Sequence, residues 1–189
     1  TAVRAEMAEN PNRYGGIDIL VNNAGLARGM APFQESRAED FDEMIDTNVK
    51  GFLNVAQAIL PGMLARNRGH LVHLGSVAGR WVYPKGHVYC ASKAAISALT
   101  QGIRLDLNGT AIRVTEIAPG MVETEFSAVR LDAERARAVY LGMTPLLASD
   151  VADAIAWATS RPAHVNIQEM VIYPVDQASP TVVFRRTNP

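Results

Sequence analysis

The chain carries little that would cross-link it, anchor it or give it a charge of one sign. One cysteine, Cys90, stands among 189 residues. That excludes an internal disulfide and fits a reducing compartment. Basic and acidic residues nearly cancel, 18 against 19, for a net charge of −1. Such a balance offers no field for nucleic acid or for an anionic membrane surface. No apolar run approaches the ~20 residues that a membrane-spanning helix needs. The residues after Thr1 show no basic-then-apolar leader pattern. No internal repeat or low-complexity linker divides the sequence. What is abundant is apolar: 48% of residues are hydrophobic, enough for one soluble domain over residues 1–189 with a real core. The expectation is a cytoplasmic protein with no nucleic-acid or membrane partner.

Hydrophobic periodicity divides the chain into alternating helices and strands. Thr1 to about Asn10 has amphipathic helical spacing, and Pro11-Asn12 and Gly15-Gly16 break it. Ile17 to Val21 is an apolar run with one Asp, the pattern of a strand buried on both faces of a parallel sheet. Ser36, with Glu39 three residues on, reads as a capping box opening a helix with Phe41, Met44, Ile45 and Val49 on one side. The helical pattern continues to about Arg66, with a kink or break expected at Pro61. His70–Leu74 and Ile112–Ile117 read as strands, and Met170–Tyr173 as a last short one. Glu125–Leu141 reads as helix and mobile loop, and Ser149 as the cap of a helix over Asp150–Thr159. Strands that alternate with helices argue an α/β parallel sheet with right-handed crossovers.

The chemistry concentrates between Ser76 and Lys93, S-V-A-G-R-W-V-Y-P-K-G-H-V-Y-C-A-S-K. A serine ends an apolar strand, a Gly/Pro-rich loop follows, and Tyr89-x-x-x-Lys93 opens a helix. Residues four apart share a helix face, so the ammonium sits on the side of the phenol. A free phenol titrates near ~10, and a neighbouring cation lowers that value. The pair is therefore a general acid/base, with Ser76 placed to hold a substrate oxygen against the Tyr89 hydroxyl. Tyr and Lys at this spacing more often mean a half-buried ring and a solvated amine. His73 has no partner at metal-ligand spacing and reads as a core histidine. Cys90, beside Tyr89, reads as a small helix-packing residue.

Three further segments change the balance: D-I-L-V-N-N-A-G at Asp18–Gly25, Asn48 within D-T-N-V, and Pro119-Gly120 leading to Thr124. In this order, with Ser76 and Tyr89-x-x-x-Lys93, the set resembles the short-chain dehydrogenase/reductase family. The segments E-M-I-D-T-N, A-G-R-W-V-Y-P, T-E-F-S-A-V-R and S-R-P-A-H-V-N-I-Q-E-M are similar to that family's NADP-dependent 3-hydroxy acid (serine or L-allo-threonine) dehydrogenases. The chain departs from them in being about one residue shorter after Val122, in Cys90, and in its tail F-R-R-T-N-P.

The resemblance implies a Rossmann-like doubly wound parallel sheet and an NAD(P)-dependent oxidoreductase, with NADP as cofactor and NAD possible. It implies that Tyr89 donates and accepts the proton, that Lys93 lowers its pKa and binds the nicotinamide ribose, that Ser76 orients the reacting oxygen, and that Asn48 holds a relay water. It implies cofactor contacts from Asn22, Asn23, Ala24 and Gly25, and from Pro119, Gly120, Val122 and Thr124. No metal is called for. The small residues Ala94, Ala95 and Ala98 after Lys93 permit close approach by another helix, which packing within the chain would also use; the resemblance implies a subunit interface there and a homo-oligomer, tetramer or dimer. A substrate carboxylate wants a guanidinium fork, for which Arg130 and Arg80 are the candidates.

One family part has no counterpart here. The G-x-x-x-G-x-G turn that takes a pyrophosphate is not in the sequence, and Gly15-Gly16 and Gly29 do not form it. The resemblance begins midway, after the family's first β-α-β-α-β elements. The chain is therefore expected to be the C-terminal part of such a domain, with an apolar sheet edge at Ile17–Val21. Two other readings stand beside the hydroxy acid dehydrogenase: a reductase of a ketone or aldehyde without a carboxylate, and a truncated, cofactor-free, non-enzymatic relative.

Overall fold

The computed structural model describes residues 5–6, 9–14 and 16–187. After a helical turn α1 (Pro11–Tyr14), the chain enters β1 (Ile19–Asn22). Helix α2 (Ala38–Ile45) runs through a π-helical turn, Asp46–Gly51, into α3 (Phe52–Arg66). Strand β2 (Gly69–Leu74), helix α4 (His87–Asp106) and strand β3 (Ile112–Pro119) follow. The remainder is shorter: β4 (Val122–Glu123), α5 (Phe126–Arg130), α6 (Ala133–Ala138), β5 (Leu146–Leu147), α7 (Ala148–Thr159), β6 (Glu169–Ile172), β7 (Gln177–Ser179) and β8 (Val182–Val183).

The main sheet has the order β1-β2-β3-β6 and is parallel throughout. Its central strands are buried on both faces, because helices cover both. Leu71, Ile112 and Val114 pack against Ile59 and Met63 of α3 and Leu107 at the end of α4. Val72, Leu74 and Ile117 face Val151 and Ile155 of α7. Each such aliphatic side chain contributes ~1.5–3 kcal/mol by leaving water. This is the α/β parallel sheet that the alternation of elements predicts, in the doubly wound form that the resemblance implies. Among the described residues β1 ends the sheet with an open edge: Ile19 and Val21 stay 49% and 41% exposed. Among the described residues, no helix is long and apolar enough to cross a membrane.

Several local expectations need correcting. Ser36 does not cap α2: Arg37 holds the N-cap position without a side-chain bond, while the Ser36 hydroxyl donates to Pro32 O at 3.0 Å and lies 3.2 Å from His87 Nε2. Ser149 does not cap α7, which starts one residue earlier; Asp150 Oδ2 accepts from Leu147 N at 2.7 Å and closes that end. Pro61 sits inside α3 without interrupting it. Its ring faces solvent, while Ile59 and Met63 on either side are buried and hold the helix down. Glu125–Leu141 contains two short helices. The expected N-terminal helix is seen at Ala5, Glu6 and Glu9; the rest of that expectation, apart from Asn10, lies outside the described residues.

The carboxyl-terminal segment folds back over the end of the sheet. Gln177 Oε1 accepts from Met121 N at 2.8 Å. Asp176 accepts from Thr144 N at 2.7 Å and from both terminal nitrogens of Arg186 at 2.8 and 3.0 Å. Arg185 donates to Val139 O at 2.9 Å and to Leu141 O at 2.5 Å.

Candidate active site

The carboxyl ends of parallel strands are where open α/β sheets bind ligands. Here those ends floor a cavity of about 1130 Å³. Single-ligand pockets run to about 300–1000 Å³, so this one has room for more than a small substrate. Asn23 and Gly25 after β1, Ser76 after β2, and Pro119, Gly120, Val122 and Thr124 after β3 line it; Tyr89 and Lys93 enter from α4, and Arg130 from α5.

Ser76 leaves β2 in extended conformation and its Oγ accepts from Ala78 N at 3.1 Å, which fixes the tight turn Val77–Gly79. That turn packs directly on α4: a Cβ at Gly79 would come within 2.7 Å of Lys93 O. Serine and helix are thus held at one spacing. Lys93 is 7% exposed, and its Nζ donates to Leu74 O at 2.8 Å. Burial pushes the Lys93 amine down to about 8, and the Glu116 charge pulls it back up.

The Tyr89 hydroxyl departs from one expectation. Burial raises it well above the ordinary phenol value, and Tyr83 adds to the rise. A Ser76 hydrogen bond and the Arg130 charge pull it down, and Lys93 does not figure among the groups that act. In this cavity desolvation outweighs the Arg130 charge and the Ser76 hydrogen bond, so Tyr89 is a neutral phenol, the form that donates a proton. Phe126 lies 5.6 Å from its ring, centroid to centroid, and adds to the burial.

Asn48 lies in the π-helical turn, fully buried, and acts as a brace. Its Oδ1 accepts from Leu26 N at 2.8 Å, and its Nδ2 donates to Leu26 O at 2.8 Å and to Ser92 Oγ at 3.0 Å. Ser92 in turn donates to Tyr89 O at 2.8 Å. Both amide hydrogens are taken, which leaves the second Oδ1 lone pair for a water. Asn22 and Ala24 do not line the cavity. Asn22 Nδ2 donates to Phe52 O at 3.0 Å and ties β1 to α3.

The two arginines separate. Arg80 pairs with Glu169 and lies off the cavity wall, so its candidacy ends there. Arg130 lies on the wall: Nε donates to Gly29 O at 3.0 Å and Nη1 to the Tyr83 hydroxyl at 2.9 Å. Its guanidinium carbon sits 5.8 Å from the centroid of the Tyr89 ring. Sequence reasoning missed Tyr83, Tyr140 and Gln177. Tyr83 carried a faint signal, an aromatic in the loop before the Tyr89 helix. Tyr140, which donates to Val122 O at 2.7 Å, and Gln177 carried none. Cys90 is buried and its thiol is pushed up by burial. His73 is fully buried, with Nδ1 2.9 Å from Thr100 Oγ1. Thr100 donates to Ile96 O, so it accepts from His73, whose Nε2 is left unpartnered.

A buried phenol, an amine and a hydroxyl are thus gathered at the ligand end of a doubly wound sheet. The family model for short chain dehydrogenase matches residues 1–135. The chain is 47% identical over 180 residues to the NADP-dependent 3-hydroxy acid dehydrogenase YdfG of Salmonella typhi, covering 94% of this chain and 73% of that protein. It is 46% identical to sulfoacetaldehyde reductase 2 of Chromohalobacter salexigens, covering 94% and 71%. Its structure matches the closed form of serine dehydrogenase complexed with NADP+ with a TM-score of 0.92 at 45% identity, over 98% of this chain and 76% of that one. The chain belongs to the short-chain dehydrogenase family, and its class is that of an oxidoreductase.

Proposed function

We propose that the protein transfers a hydride between NADP(H) and the oxygen-bearing carbon of a small 3-hydroxy acid, with NAD a weaker alternative. The observation that carries the substrate class is Arg130, whose guanidinium faces Tyr89 across the cavity and keeps hydrogens on Nη1 and Nη2 for a carboxylate. The relatives, a 3-hydroxy acid dehydrogenase and a serine dehydrogenase with NADP+, support the same reading.

The nicotinamide supplies the hydride chemistry when bound. Asn23, Gly25, Pro119, Gly120, Val122 and Thr124 would hold it, and Lys93 its ribose; the cavity volume and the small residues at its floor fit the group. Tyr89 takes the hydroxyl proton in oxidation and returns it in reduction. Ser76 holds the substrate oxygen against Tyr89. Lys93, charged at neutral pH, stands one helical turn from Tyr89 on the same face, and a water on Asn48 passes the proton onward. The pyrophosphate cradle we assign to the side of the open β1 edge, where a further parallel strand would pair with Ile19 and Val21, so that these residues are the C-terminal part of one domain. The small residues of α4 suit a homo-oligomer, and the single cysteine a cytoplasmic one.

Calorimetry with NADPH and NADH tests the cofactor, with NADPH expected to bind more tightly; no binding of either overturns the assignment. Tyr89→Phe removes the proton carrier and leaves the cavity shape. It is expected to lower kcat by ~10²–10⁴-fold while nucleotide affinity holds, and wild-type turnover refutes the role of Tyr89.

A further inference from the structure

Strand β3 carries an acid in its buried interior. Glu116 is 3% exposed, between Thr115 and Ile117, which are fully buried. An ionised carboxylate taken out of water costs several kcal/mol unless charge and hydrogen bonds surround it. Both are present. Ser97 Oγ donates to Glu116 Oε2 at 2.7 Å. The other oxygen lies against Gly75, the residue between Leu74 and Ser76, where an added Cβ would collide with Oε1. Ser97 is one helical turn beyond Lys93, on the same face of α4, and Lys93 Nζ is bound to Leu74 O, beside Gly75. The carboxylate is thus wedged between the strand that ends in Ser76 and the helix that carries Tyr89 and Lys93.

We propose that Glu116 is a positioning residue: its buried carboxylate, fixed by Ser97 against Gly75, keeps the Lys93 ammonium charged and in place at the floor of the cavity. The inference rests on the reading of Lys93 as a working group. The groups that act on this pair come from two elements. Tyr89 precedes Lys93 on α4, Glu116 faces Lys93 from β3, and Arg104 reaches Glu116 from farther along α4. Arg104 has partners of its own, Val114 O at 3.2 Å and Gln168 O at 2.8 Å, and does not displace Lys93. Burial and Glu116 act on the lysine in opposite directions. With the carboxylate gone only burial remains, and the amine loses its proton at a lower pH.

The chain has three lysines, Lys50, Lys85 and Lys93, so a spectrum of protein labelled with ε-¹³C lysine holds three signals, and the Lys93→Met variant assigns the third. In the native protein the Lys93 signal is expected to titrate near about 8. In Glu116→Gln, which keeps the shape and a polar group for Ser97, the midpoint should fall by about one pH unit, while Lys50 and Lys85 stay where they are. Glu116→Met, of similar length and without charge, gives the same reading if the glutamine variant fails to fold. A Lys93 midpoint that does not move in a folded neutral variant overturns the proposal, since a purely packing role for Glu116 leaves the titration in place. Turnover of Lys93→Met separates the two levels. Loss of turnover with an unmoved midpoint sinks only the role of Glu116, and wild-type turnover sinks the role of Lys93 and the proposal with it.

Discussion

Replacing Arg130 by alanine separates recognition of a carboxylate from the chemistry beside it. Two of the five guanidinium hydrogens are engaged, by Gly29 O at 3.0 Å and the Tyr83 hydroxyl at 2.9 Å. One hydrogen on Nη1 and both on Nη2 remain for an anion. A fork of two charge-assisted hydrogen bonds is worth about 2–4 kcal/mol net of desolvation. At about 1.36 kcal/mol per factor of ten, its loss lowers kcat/KM by ~30- to 1000-fold. The same substitution also frees Tyr83 and the loop at Gly29, which disturbs the cavity for every substrate. The measurement is therefore a ratio: kcat/KM for a small 3-hydroxy acid over that for a neutral secondary alcohol of similar size, followed by nicotinamide absorbance in the native protein and in Arg130→Ala. The ratio is expected to collapse, and Arg130→Lys, which keeps the charge without the fork, is expected to fall between. Equal losses on both substrates would refute the carboxylate role.

Two other perturbations reach the fold. His70 and His73 are buried and pushed down to about 4, by burial first, then by Arg113 for His70 and by Arg104 and His70 for His73. The unfolded chain takes up these protons near ~6.5, and the folded one does not until about 4. Stability present above that unfolded value is withdrawn as the pH falls through this window, at about 1.4 kcal/mol per pH unit for His73. Urea midpoints should drop between pH 7 and pH 5, and less in His73→Gln; equal midpoints at the two pH values contradict the assignment. Met63 is fully buried in the cluster with Ile59, Leu71 and Leu107, so Met63→Ala should lower unfolding free energy by about 2–5 kcal/mol in denaturant titration, and a change under 1 kcal/mol would show that the site collapses around the cavity.

The strands were legible because burial on both faces leaves a continuous apolar run, as in L-V-H-L and in I-R-V-T-E-I-A. That pattern says nothing about an acid or histidine inside the run. Glu116, His70 and His73 are tolerated only through partners on other elements, Ser97, Thr115 and Thr100. Helix starts were misplaced where a side chain had a better offer than the cap. The Ser36 hydroxyl found Pro32 O, and Asp150 supplied the closure assigned to Ser149. At the site, Ser76, Tyr89 and Lys93 are close in sequence and carry a local motif. Arg130 and Tyr83 are 47 residues apart, and only the folded chain shows that they meet. The expected effect of Lys93 on Tyr89 followed from helix spacing alone, which cannot weigh burial against charge.

The wall of the cavity formed by α5 and by Val139 and Tyr140 depends on residues made much later. Val139 O, Leu141 O and Thr144 N are secured by Arg185 and Asp176, more than thirty positions downstream. On a ribosome, Ser76, Tyr89, Lys93 and Arg130 all emerge before the segment that fixes this wall. A nascent chain stopped short of Asp176 would therefore hold every proposed catalytic side chain in an enclosure not yet fastened.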